Sequence, residues 1–337
     1  MARITYKKIN YLLLCGLLGL SNSSYAVDTK NTIMDIFGTK AGAKAVDNSE
    51  GKNLDKFTAP NKCRKHYTWG EPRVKDEVIM ARSLFICRGN FANQYDPKLK
   101  VPIWTSEHLN LYGKKFISKN YEFDAKFQPD ADLPSSMLAY PEDYLNSIYT
   151  PAQMASVYNN KTLDLKTEPL KFIQQHFNFS NTIPMVRENL ANTIWADLEN
   201  EVRGYLLKAD ALYVTTGPIY LNGKTNGKLG KSGVAIPTHF YKVITQPNVH
   251  GTVAYIIPNQ EIYTYKTKKL NDPKNAYRCN GGPCTLSNFI VQIKEVERII
   301  NTEFYPTLAP QYAVKVKSDP NEINKLENRE REMENSN

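Results

Sequence analysis

One stretch of this chain repeats its apolar residues with the period of an α-helix, and the segments on both sides do not. Across 188–207, Leu190, Ile194, Trp195, Leu198, Val202 and Leu206 recur at helical spacing, with Glu199, Glu201 and Arg203 at and beside the opposite face. No sustained heptad pattern extends it, so the sequence does not favour a coiled coil. The surrounding sequence is short, β-rich and broken by turns. Leu84-Phe85-Ile86-Cys87 and Phe91-Ala92-Asn93-Gln94-Tyr95 flank an Arg-Gly-Asn turn and read as a hairpin. Residues 102–107 form a further strand, and 211–216 form another that stops at Gly217-Pro218. Residues 240–244 and 252–257 read as neighbouring strands, and 223–233 as a Lys- and Gly-rich hairpin loop. A second helix is expected over 288–300, with Ile293, Val296, Ile299 and Ile300 inward. One long amphipathic helix among many short strands predicts an α+β fold built on an antiparallel β-sheet.

The N-terminus reads as an export signal. Arg3, Lys7 and Lys8 give a positive start, 11–20 is a short apolar run, and Ser24-Tyr25-Ala26 is a small-x-small cleavage site. The run is too short to remain as a membrane helix, and no integral membrane segment is expected once it is removed. Cys15 raises a lipoprotein reading, against which Leu14 stands where a small residue is needed. Export makes the expected location periplasmic or secreted.

Removal of residues 1–26 leaves Cys63, Cys87, Cys279 and Cys284. An even number in an oxidising compartment points to disulfides. Of the three pairings, the local one is favoured: Cys63 with Cys87 and Cys279 with Cys284, the second pair enclosing the turn residues Asn280-Gly281-Gly282-Pro283. A zinc site is the alternative, although no C-x-x-C spacing supports it.

The remaining chain is long enough for one large domain or two small ones. Residues 27–60 are rich in Lys, Asp, Asn and Gly and read as a flexible lead-in. Residues 61–312 form the domain, and 313–337 a charged tail with too little apolar surface to offset its ordering entropy. The net charge of +9 falls to +6 without Arg3, Lys7 and Lys8. A basic exported protein is attracted to polyanions, and phosphate contacts dominate such binding; a soluble basic protein with no such partner has the same composition.

The blocks TWGEP, ICRGNFANQYDP, VPIWTSEHLN, FSNTIP, NTIWADLE, TGPIYL, IPTHFYKVI, YIIPNQ and EFYPTL occur in that order. Together they resemble the DNA/RNA non-specific endonucleases, the ββα-metal or His-Me finger nucleases, from about Cys63 to about Leu308. The resemblance implies one domain with a strand–loop–helix nuclease element. It also implies Mg2+-assisted phosphodiester hydrolysis: a histidine deprotonates water, and an asparagine on the long helix holds the metal. An arginine near the histidine, and a glutamate and an arginine further along the helix, support the metal shell and the phosphate.

Against this pattern the centre is substituted. The family's Asp-Arg-Gly-His, short apolar link and Pro correspond here to Leu145, Asn146, Ser147, Ile148, Tyr149, Thr150 and Pro151. Pro151 fixes the register. Ile148 therefore occupies the histidine position and has no lone pair for general-base chemistry, and Asn146 occupies the arginine position. Ser180, Asn181 and Pro184 match the family's Ser-Asn strand, while Trp195, Leu198, Glu199 and Arg203 match its helix. The metal asparagine sits four residues before the tryptophan; here that is Ala191, a methyl group. Asn192, or Asn189 on the other side, replaces it only through a bulge, since one residue turns a helix by about 100°. Glu199 and Arg203 at i and i+4 also read as an ordinary helix ion pair.

Other bases are no better placed. Tyr149 is a poor base near neutral pH, and His176 lies on a different strand. His239 fits a structural sheet position, and His66 and His108 read as surface residues. The expected function is a nucleic-acid-binding pseudonuclease with DNA or RNA as partner. One alternative is an active Mg2+-dependent endonuclease with a relocated base. Another is an envelope protein-interaction module.

Overall fold

The computed structural model describes residues 63–110, 125–159, 170–191, 194–209, 211–249, 251–267 and 270–318. The expected signal (1–26), the lead-in (27–60) and the tail beyond Ser318 lie outside the described residues. In chain order the elements are β1 (Arg73–Val74), α1 (Glu77–Arg82), β2 (Leu84–Cys87), β3 (Phe91–Asp96), β4 (Val101–Asn110), β5 (Tyr149–Gln153), α2 (Leu170–His176), β6 (Thr182–Val186), α3 (Arg187–Ala191) and α4 (Ile194–Ala209). Then come β7 (Ala211–Ile219), β8 (Lys228–Leu229), β9 (Val234–Ala235), β10 (His239–Gln246), β11 (Gly251–Pro258), β12 (Ile290–Val291), α5 (Ile293–Ile300), β13 (Thr302–Glu303) and α6 (Pro310–Ser318).

Seven strands form one antiparallel sheet in the order β12-β11-β10-β7-β4-β3-β2. The class is α+β. The expected hairpin is β2 and β3, with Cys87 opposite Ala92, and β10 and β11 pair along their whole length. Strand alternation separates two faces. On one, Phe240 packs edge-on against Trp195 of α4, ring centroids 5.6 Å apart. On the other, Tyr241 and Val243 join Trp104, Ile293, Val296 and Phe304 in a core under α5. Trp195 and Leu198 are buried against the sheet as their spacing predicts.

Several boundaries differ from the sequence expectation. The helix expected over 188–207 consists of α3 and α4, with 192–193 between them outside the described residues. Glu199 is not on the open face: it is buried on α4 beside Leu198 and Val202. The second helix starts at Ile293 rather than 288. Ile290 and Val291 instead extend the sheet edge opposite Tyr255 and Ala254, where β-branched residues pack well. The segment before them is a 3-10 turn, Leu286–Phe289, closed by a Thr285/Asn288 capping box.

Strand β7 does not stop at Gly217-Pro218 but continues to Ile219 along β10. Its pairing with β4 ends at Thr216, so the strand beside Pro218 is β10 alone. Gly217 allows this: a Cβ there would lie 2.5 Å from Ile103 O and 2.6 Å from Tyr241 Oη. Ser180 and Asn181 lie in a 3-10 turn, and the strand begins only at Thr182.

The expected domain edge at 312 is crossed by α6. Its Val316 is buried, Val316 O accepts from Thr252 Oγ1 at 2.9 Å, and Lys317 pairs with Glu297 at 2.8 Å. His66 is not a surface side chain, and His108 is half-buried. His66 is buried with Nε2 3.1 Å from Arg88 O, and His108 stacks on Tyr213 at 4.4 Å. Both expected disulfides are formed, Cys63 with Cys87 and Cys279 with Cys284. No helix among the described residues is long and apolar enough to cross a membrane.

Candidate active site

The strand–loop–helix element is β5 and β6, paired antiparallel with Pro151 opposite Pro184, followed by α3 and α4. Ile148 immediately precedes β5, and its carbonyl accepts from the Arg187 amide at 3.0 Å. The position where the resemblance expects a base therefore lies beside the first residue of α3. The turn around it is held by several contacts. Tyr144 is buried and stacks on Phe179 at 5.4 Å. Ser147 Oγ donates to Tyr144 O at 2.8 Å, and Arg187 Nη2 donates to Ser147 O at 3.2 Å. Asn146 adopts a left-handed φ of 55°, a conformation asparagine tolerates. Held this way, Leu145 and Ile148 are 68% and 62% exposed.

The Lys- and Gly-rich segment is a small hairpin, β8 with β9, docked on the same turn. Asp143 Oδ1 accepts from the Ser232 amide at 3.0 Å, and Asp143 Oδ2 from the Tyr140 amide at 2.9 Å. Gly230, at φ +57°, passes so close that a Cβ would lie 2.1 Å from Asp143 Oδ1. Lys228 and Lys231 are exposed on this hairpin, Lys224 is exposed after the 3-10 turn that precedes it, and Arg187 is exposed on α3. Arg187, bonded to Ser147 O, and Lys231, between the Gly230 and Ser232 that meet Asp143, thus put basic side chains beside an apolar turn.

Behind the turn lies a buried polar cluster that the sequence reading missed. Lys242 of β10, fully buried, pairs with Glu199 Oε1 at 2.9 Å and donates to Thr216 Oγ1 at 3.0 Å. Its Nζ also sits 5.0 Å over the Trp195 ring. Glu199 and Arg203 do not form the expected direct ion pair. Asn159, buried in the segment after β5, joins them: its Nδ2 donates to Glu199 Oε2, and its Oδ1 accepts from Arg203 Nη1 at 2.8 Å. Arg203 also donates to Asn200 Oδ1 at 2.6 Å.

Glu107 of β4 completes the cluster. Burial pushes its carboxyl up to about 8; Lys242 and the Ser156 amide favour the charged form, while Glu199 opposes it. No donor reaches either Glu107 oxygen in good hydrogen-bond geometry. Burial also lowers Arg203, which the neighbouring Glu199 resists. A sequence signal for Lys242 and Glu107 did exist: each is a charged residue inside an apolar strand run.

The described residues do not fit the magnesium ion that the resemblance implies. An exposed hydrocarbon occupies the histidine position. Ala191 closes α3, and Asn192 lies outside the described residues. Asn189 is buried, with its Nδ2 donating to Gln260 O, so it ties α3 to the segment after β11. Among the described residues no three of His, Cys, Asp or Glu gather to hold a metal.

His176 lies not on a strand, as expected, but at the end of α2. It is buried with Nδ1 3.1 Å from Ala155 O, and burial lowers it to about 4. Ala155 follows one end of β5 and Ile148 precedes the other, a span of about 20 Å at the rise of an extended strand. His239 alternates with Phe240, so it belongs to the face opposite α4.

The chain is similar in sequence and in fold to known nucleases. Nuclease C1 of Cunninghamella echinulata var. echinulata is 31% identical over 236 residues, covering 66% of this chain and 83% of its own. Human mitochondrial Nuclease EXOG is 27% identical over 238 residues, 66% of this chain, and the match spans 57% of that longer protein. The crystal structure of the EndoG/EndoGI complex, which addresses the mechanism of EndoG inhibition, matches at 26% identity with a TM-score of 0.53, over 68% of this chain and 88% of that one. The family model for DNA/RNA non-specific endonucleases matches residues 79–311, a span that runs from α1 to α6 and takes in both the substituted turn and the buried cluster, so the chain belongs to the DNA/RNA non-specific endonuclease family.

Proposed function

We propose that this protein is an exported pseudonuclease that binds DNA or RNA without cleaving it. One observation carries the reading: Ile148 stands at the mouth of the strand–loop–helix element, 62% exposed, where water would have to be deprotonated. A secondary carbon chain accepts no proton, and losing a general base costs about 10²–10⁴ in rate. Substitution at Asn146 and Ala191 adds to the loss. The exposed Lys224, Lys228, Lys231 and Arg187 support retained binding, because phosphate contacts need only positive charge within reach. The two disulfides support residence in an oxidising compartment, periplasmic or secreted.

The test is a cleavage assay on plasmid and RNA with magnesium, run beside a gel shift. The expected result is no cleavage and a shift that weakens steeply with salt. Robust metal-dependent cleavage by the unaltered protein would overturn the reading in favour of a relocated base. Absence of any shift at low salt would remove nucleic acid as the partner and leave a protein-interaction role.

A further inference from the structure

The substituted turn presents apolar side chains next to basic ones, and that combination selects among nucleic acids. Leu145 and Ile148 lie three residues apart on one tight turn, and the half-buried Tyr149 follows. The turn is braced. Ser147 ties it to Tyr144, Arg187 bonds its carbonyls, and Asp143 beneath it is capped by the β8–β9 hairpin. Arg187, Lys224, Lys228 and Lys231 are all exposed, and Lys98 is close enough to Lys228 to feel its charge.

A duplex meets such a surface with phosphates and sugars, to which isobutyl and sec-butyl groups offer nothing. To reach apolar surface in a duplex, the turn must wedge between stacked base pairs and break their stacking. A single strand supplies the same backbone charge to the basic side chains while its unstacked bases are already free to lie on apolar ones. We infer that this surface is a binding site for single-stranded nucleic acid, with the backbone held by the basic side chains and one or two bases seated on Leu145 and Ile148. The inference rests on the nucleic-acid reading above and narrows it to a strand class.

The probes are a labelled oligothymidylate, a labelled blunt duplex of the same length, and an abasic oligodeoxyribose phosphate with equal charge and no bases, followed by fluorescence anisotropy. The oligothymidylate should bind about tenfold more tightly than either competitor, the size expected when a base covers one exposed aliphatic side chain on top of a common electrostatic term. Leu145→Ser with Ile148→Ser should remove that preference and leave duplex and abasic binding unchanged. Both side chains are exposed, so the substitution does not disturb the core, and an unchanged thermal midpoint verifies this. Lys224→Ser, Lys228→Ser and Lys231→Ser together should weaken all three probes and reduce the salt slope. Binding of none of the probes defeats the nucleic-acid reading and this inference together. Equal binding of all three, or a preference that survives loss of both apolar side chains, overturns this inference alone.

Discussion

Lys242 Nζ lies 2.9 Å from Glu199 Oε1, joining the middle of the sheet to the helix that packs over it. The lysine is fully buried, so its charge has no water to fall back on. Taking both charges out of water roughly cancels their attraction, but a single buried charge left behind has nothing to offset its desolvation. Lys242→Met should therefore destabilise the protein by ~3–5 kcal/mol. Lys242→Met with Glu199→Leu should lose clearly less than Lys242→Met alone. Urea unfolding of the two variants decides the matter, and a double variant at least as unstable as the single one would contradict a mutually dependent pair.

Glu107 gives the same cluster a pH dependence of defined sign. Its carboxyl is held up at about 8 by burial, against 4.5 ordinarily. Between those values the folded protein keeps a proton that the unfolded chain has released. Stability contributed by this group therefore falls as pH rises through the window, by up to ~1.4 kcal/mol per pH unit. Glu107→Gln mimics the protonated form and should remove this slope, so its advantage over the native protein should grow from pH 5 to pH 8. Parallel stability–pH curves for the two proteins would show that Glu107 is ionised throughout.

What the sequence made legible follows from what its patterns measure. Strands β2, β3, β4, β10 and β11 were readable because β-branched and aromatic runs end at turn residues. The apolar stripe of α4 was readable because Trp195, Leu198, Val202 and Leu206 keep the helical period. The same reasoning failed wherever burial and polarity coincide. Glu199 was assigned to the open face because a period analysis treats charge as exposure, and its buried partner Lys242 is 43 positions away in sequence. Asn159, which joins Glu199 to Arg203, has no local signal at all. At β7 the Gly217-Pro218 pair looked like a stop, yet Gly217 is there to admit Ile103 O and the Tyr241 hydroxyl. The substituted turn was legible because Pro151 fixes its register. Its bracing and its basic neighbours came only from contacts made far along the chain, by Arg187 and Ser232.

His176 provides a test of whether any histidine serves the site. Burial lowers it to about 4 from 6.5. The unfolded chain takes up its proton first as pH falls, so stability from this group is complete above about 6.5 and is lost as pH drops toward 4. His176→Gln should remove part of that acid loss, cost ~1–3 kcal/mol at neutral pH through the broken contact with Ala155 O, and leave nucleic-acid affinity unaltered. Affinity that collapses while stability holds would make His176 a site residue after all.

The disulfides and the export signal make a joint prediction. Mature protein recovered from an exporting host should begin at Val27, and its four remaining cysteines should resist alkylation until reduced. Cys63–Cys87 links the start of the domain to β2 across a sequence separation of 24, whereas Cys279–Cys284 closes a separation of 5. A longer loop loses more entropy when closed in the unfolded chain, giving roughly 3–4 kcal/mol for the first bridge and roughly 2 for the second. Serine replacement of the Cys63–Cys87 pair should therefore lower stability more than replacement of the Cys279–Cys284 pair. The first bridge also anchors the segment whose His66 bonds Arg88 O, so its loss should free that strand end to exchange amide hydrogens faster. An intact mass that retains the first 26 residues, or four thiols that alkylate without reductant, would sink the exported, oxidised form; a larger loss from the second pair would show that native contacts around Cys284 outweigh loop entropy.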